Sequence, residues 1–150
     1  MDEIAKGDPS AFFELYSDRE DATLANPFGP PARGRGEIEE AGWRAGSNYR
    51  DGRAVEFETF AKCVTADLAY IVEIEQFEAK VGGSEEVTPV ALRVTSIFRL
   101  EDGGWKLVHR HADPITRRYR KRKAPQGDRG LSVFDQRRSA PPSGPGRFEA

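Results

Sequence analysis

Leu92-Arg93-Val94-Thr95-Ser96-Ile97-Phe98-Arg99-Leu100, Glu101-Asp102-Gly103-Gly104, Trp105-Lys106-Leu107-Val108-His109-Arg110-His111-Ala112 is the stretch that decides the fold. Two alternating apolar and polar runs flank an Asp-Gly-Gly turn, and this combination predicts an antiparallel hairpin. Working back from it, Leu68–Val81 reads as a long strand with Tyr70, Val72 and Ile74 on one side. Gly82-Gly83-Ser84 forms the reversal into the hairpin. Val55, Phe57, Thr59 and Ala61 alternate with Glu56, Glu58 and Lys62 in a strand that starts near Ala54, and Thr65-Ala66-Asp67 turns it back. The result is a four-strand antiparallel meander.

Ahead of the meander the period is helical. Asp8-Pro9-Ser10 opens a helix carrying Phe12, Phe13, Leu15 and Tyr16, with a capping residue and an early proline at its start. Ala22–Ala25 is short and extended, and Asn26-Pro27-Phe28-Gly29-Pro30-Pro31 breaks regular structure. A second helix is predicted from about Arg35 to Tyr49, with Ile38, Ala41, Gly42 and Ala45 at helical spacing. Helices followed by an antiparallel sheet, without strand–helix–strand alternation, define an α+β domain. One apolar sheet face must then be covered by the helices.

Composition bounds the rest. The 150 residues suffice for one domain, and the single cysteine, Cys63, excludes an intrachain disulfide or a cysteine-based zinc set. Neither an export signal nor an apolar run long enough to cross a bilayer is legible, and a reducing cytoplasm is the expected location. The net charge of −2 hides an asymmetry: residues 1–113 carry 13 Lys and Arg against 22 Asp and Glu, and residues 114–150 carry 10 against 3. The predicted division is a folded domain over 1–116 and a basic, Pro/Gly/Arg-rich disordered tail over 117–150. The block Arg117–Lys123 has the charge to meet a polyanion, but Tyr119 alone is no stacking platform, so no nucleic-acid partner is assigned.

Several strings together resemble the SnoaL-like branch of the NTF2-like superfamily, the group with ketosteroid isomerase-type folds. They are Gly7-Asp8-Pro9, Asn26-Pro27-Phe28-Gly29 with Arg33-Gly34, Ala66-Asp67-Leu68-Ala69-Tyr70, and the closing hairpin through Asp113. The resemblance covers residues 7–113. It implies an NTF2-like cone: N-terminal helices packed on a curved antiparallel sheet that encloses an apolar pocket. It also implies a small apolar, polyketide- or steroid-like ligand and no cofactor, while a homodimer through the outer sheet face is expected because one face of a long antiparallel sheet carries more apolar surface than a small monomer leaves exposed. The superfamily hosts isomerases, cyclases, dehydratases and non-catalytic binders, so the fold leaves open an enzyme, a binding module or a dimeric interaction module.

Candidate site residues follow from strand parity. His109, His111 and Asp113 share the face of Trp105 and Leu107, which predicts that His111 points into the cone with Asp113 orienting its ring. His111 and Asp113 are therefore the candidate catalytic pair for proton transfer, with His109 beside them. A structural role for both histidines is the competing reading. His-x-His alone lacks the ligand count for a metal site, and none is assigned. Arg93 is a candidate for an acidic group, although its parity with Thr95 and Arg99 places it on the more polar side. Glu73, Glu75 and Asp21 are candidate bases, with Glu75 kept for the pocket, but strand glutamates read more simply as the solvated face. Trp43, Phe28 and Tyr16 are candidate pocket walls or plain core.

Overall fold

The computed structural model describes residues 2–116; the expected tail over 117–150 lies outside the described residues. Two single-turn helices, α1 (Asp2–Ala5) and α2 (Ser10–Phe13), precede two short strands, β1 (Thr23–Ala25) and β2 (Ala32–Arg33). Helix α3 (Gly34–Gly46) then leads into four long strands: β3 (Tyr49–Val64), β4 (Leu68–Val81), β5 (Val87–Glu101) and β6 (Gly104–Pro114). The six strands form one sheet in the order β2-β1-β6-β5-β4-β3.

The meander follows the sequence reading. Asp102 and Gly103 both take positive φ, 49° and 84°, which is what a two-residue turn matched to strand twist requires. The sheet is mixed, however, because β1 runs parallel to β6, with Leu24 opposite Arg110. The first predicted helix is also cut short. Leu15 and Ser17 exchange backbone hydrogen bonds with Leu107 (Leu107 N to Leu15 O 2.8 Å, Ser17 N to Leu107 O 2.9 Å). The helical spacing of Phe12, Phe13 and Tyr16 therefore yields to tertiary pairing after one turn.

One face of the sheet carries the core. Ala5, Tyr49, Phe77, Ala79, Leu92, Val94 and Ala112 form a buried cluster, with Ile4 and Phe28 packed against it. On β4 this inner face holds Ala69, Ile71, Glu73, Glu75, Phe77 and Ala79, since Glu75 pairs with Leu92 and Glu73 with Val94 across the ladder. Tyr70, Val72 and Ile74 thus lie on the outer face. The solvated reading of Glu73 and Glu75 is corrected: the shared parity with Ile71 and Phe77 puts both carboxylates inside.

Helix α1 reaches the sheet across Gly52, where β3 shifts register between Arg50 and Arg53. A Cβ at Gly52 would lie 2.5 Å from Ala5 O and 2.6 Å from Glu78 O, both backbone atoms that cannot rotate away. Gly52→Ala should therefore destabilise the fold by about 1–3 kcal/mol or more, read as a lowered denaturation midpoint. A midpoint equal to wild type would show that α1 does not press on this strand.

Candidate functional site

The inner face, α3 and the loop after β1 enclose a cavity with about 470 Å³ of empty space, counted out to its mouth. Its wall is apolar: Ile4, Phe12, Leu24, Phe28, Tyr49, Phe77, Leu92 and Ala112 contribute most of it. The Asn26-Pro27-Phe28 loop is fixed over it by Asn26, whose Oδ1 accepts the Phe28 N–H (2.9 Å) and whose Nδ2 donates to Ala41 O (3.3 Å). The oxygen and one N–H of that amide are thereby committed. Phe28 meets Tyr49 edge to face at 5.7 Å, and Tyr49 meets Phe77 in the same way at 5.1 Å.

Arg110 is the one charged residue in this lining. Its Nη2 donates to Glu75 Oε2 at 2.6 Å, with both side chains buried, and its guanidinium lies 5.5 Å over the Phe12 ring. A buried ion pair with a cation–π contact on its free side is a strongly directional element in an otherwise apolar chamber. Glu73 stands next to the pair, and its carboxyl is raised above the usual range by burial and by the Glu75 charge, against the pull of Arg110. Burial likewise pushes the Tyr49 phenol up to about 12 and the Tyr16 phenol higher still. Tyr16 Oη is buried without a hydrogen-bond partner among the described residues.

The direction of the Glu73 shift fixes a pH dependence. A carboxyl raised in the fold is best accommodated when protonated, so its contribution is intact below the unfolded value and is lost as pH rises through the folded one. Glu73→Gln should therefore gain stability over wild type at pH 8 and little or none at pH 4, as read by thermal melts. An equal change at both pH values would contradict this.

The remaining predicted site residues are distributed differently from the expectation. Phe28 lines the cavity. Tyr16 is wholly buried in the core beside Phe12, 5.1 Å edge to face, outside the lining. Trp43 is half exposed, against Phe13. Arg93 and Asp113 pair at 3.5 Å on exposed surface. His109 Nδ1 bonds Thr23 Oγ1 at 2.8 Å, and burial together with the His111 charge holds its pKa down. His111 is 52% exposed, with Nε2 3.4 Å from Asp113.

The expectation that His111 faces the cone is thus corrected, and the cause is local. Ile97 pairs with His109 but Phe98 pairs with Leu107, so Val108 is an extra residue in β6. A bulge of one residue exchanges the two faces of everything beyond it. Leu107 is inside before the bulge; Arg110 and Ala112 are inside after it, and both histidines go out. Arg110 was the residue missed. Its signal was a strand arginine sharing parity with Ala112, with Glu73 and Glu75 sharing parity with Phe77 on β4, one strand beyond the intervening β5.

Similar structures carry the same frame. A ketosteroid isomerase-like protein from Erwinia carotovora atroseptica superposes with a TM-score of 0.64 at 21% identity, covering 77% of this chain and 87% of that one. An NTF2-like superfamily protein from Salmonella enterica serovar Typhimurium gives 0.63 at 20% identity, with coverage of 78% and 84%. An NTF2-like protein with a cystatin-like fold from Novosphingobium aromaticivorans gives 0.54 at 20% identity, with 76% and 73%. At these identities the likeness speaks for the fold. No curated protein matches the sequence. The family profile of the SnoaL-like domain matches residues 1–115, nearly the whole described region, and the chain belongs to the SnoaL-like domain family.

Proposed function

We propose that the cone binds a small, mainly apolar molecule, with the Arg110–Glu75 pair as the polar pole of the site. The observation that carries this is the continuous apolar wall from Leu24 through Phe28, Tyr49 and Phe77 to Leu92 and Ala112, interrupted by a single cation. Ethylbenzene, an apolar probe, should raise the melting temperature of wild type and fail to do so for Ala112→Trp, which blocks the chamber. An unchanged melting temperature in wild type, or an equal rise in the blocked variant, would contradict the proposal.

A catalytic use of the cone, as a cofactor-free isomerase, cyclase or dehydratase, would have to run through the groups that line it. The exposed His111–Asp113 pair on the outer face is not placed for that role. Its position suits the second reading, association of two copies through the outer sheet face. That face presents Tyr70, Val72, Thr95, Ile97 and His109 in register across β4, β5 and β6, a larger apolar stripe than a small monomer usually leaves open. Light scattering of the full chain should give twice the 16.7 kDa chain mass; the monomer mass at micromolar concentration would contradict it.

A further inference from the structure

We infer that the cavity selects an uncharged ligand bearing one acceptor oxygen, read by Arg110, and that Glu75 sets this selectivity by rejecting the corresponding carboxylate. The inference rests on the proposal that the cavity holds a small molecule, and adds the chemical class of that molecule.

Three observations carry it. First, Arg110 is the one charged group of the lining, where the other polar side chains are the Tyr49 phenol and Asn26, whose oxygen and one N–H are held by Phe28 N and Ala41 O. Second, the Arg110 guanidinium makes one hydrogen bond among the described residues, from Nη2 to Glu75 at 2.6 Å. An arginine has further N–H donors in its planar fork and no acceptor of its own, so the others are available to an oxygen entering the cavity. Third, Glu75 has already matched the guanidinium charge, and it is buried beneath it.

The charge count decides the ligand class. A carboxylate entering the site would put a second anion beside Glu75 in a low-dielectric chamber, with one cation shared between them. Like charges so placed are strongly disfavoured. A ketone, ester or amide oxygen accepts the same N–H groups and brings no charge to desolvate. Glu73 reinforces the preference, because it adds a further carboxyl to the same inner face, opposite Val94. Glu75 is thus a positioning residue: it orients the Arg110 fork from behind and cancels the charge that would otherwise attract anions.

The test is a comparison of three probes of nearly equal size, acetophenone, benzoate and ethylbenzene, titrated calorimetrically into the full chain. Wild type should bind acetophenone at least tenfold more tightly than benzoate, and more tightly than ethylbenzene. Glu75→Gln, which keeps a hydrogen-bonding group against Arg110 but removes the negative charge, should improve benzoate binding at least tenfold and reverse the order. Should that variant unfold, Arg110→Met/Glu75→Leu removes both charges together; it should bind acetophenone and ethylbenzene alike. Benzoate binding as well as acetophenone in wild type would overturn the inference, as would an unaltered ratio in Glu75→Gln. Equal binding of all three probes would overturn it while leaving the cavity proposal intact. No binding of any probe would overturn both.

Discussion

Replacing Glu75 by leucine is expected to destabilise the fold by about 3–5 kcal/mol, the usual cost of leaving a buried charge without its partner. The pair is 2.6 Å apart with both side chains under a tenth exposed, so water cannot take over the role of the lost carboxylate. Arg110→Met alone should cost a comparable amount, since it strands Glu75. The double variant Arg110→Met/Glu75→Leu should recover most of the loss, because two apolar groups of similar volume remove the desolvation penalty along with the attraction. Urea denaturation of the three variants gives the coupling directly, and a double variant less stable than either single one would contradict the account.

Phe77→Ala has an expected effect of similar size for a different reason. Phe77 is 1% exposed and joins the core cluster to the cavity, touching Tyr49 edge to face at 5.1 Å. Truncation loses the transfer free energy of the ring and leaves a void that the β4 and β5 backbones cannot close, together about 3–5 kcal/mol. The void would be continuous with the existing cavity. An apolar additive large enough to fill both should therefore rescue part of the melting temperature in this variant more than in wild type. Rescue by ethylbenzene no greater than in wild type would show that Phe77 does not border the chamber.

Much of the fold was legible because the deciding stretch obeys simple alternation. The Asp102-Gly103 turn and the length of β4 come from period and turn chemistry that the structure follows closely, and the helix expected from about Arg35 to Tyr49 forms but ends at Gly46, with Tyr49 opening β3. The parallel seating of β1 against β6 was not legible, since three residues from Thr23 to Ala25 carry no sign of their partner. Helix α1 was missed for a like reason: four residues give no periodicity, and what holds them is contact with the sheet near Gly52.

The candidate site was harder to read, and the difficulty lay in one residue. Parity counted from Trp105 and Leu107 is sound as far as Leu107, and Val108 then breaks it. Nothing in Lys106-Leu107-Val108-His109 marks a bulge, because the extra residue is an ordinary β-former rather than glycine. What was inferred beyond it was inverted: His109, His111 and Asp113 share the outer face, and Arg110, for which nothing was inferred, is inside. A different assumption, that strand acids belong to the wet face, spoke against Glu73 and Glu75, of which only Glu75 was kept for the pocket, although Ile71, Phe77 and Ala79 share their parity. A buried arginine on β6 and a buried glutamate on β4, meeting across β5, explain one another, and each alone looks like a surface residue.

The central claim, that the cone is a chamber for a small apolar molecule, is tested most directly by methyl NMR of the full chain during titration with acetophenone. The account predicts saturable shifts at Leu24, Leu92 and Ala112, which line the cavity, and none at Val72 and Ile97 on the outer face. Unmoved cavity methyls, or non-saturating shifts spread over the outer face, would contradict it.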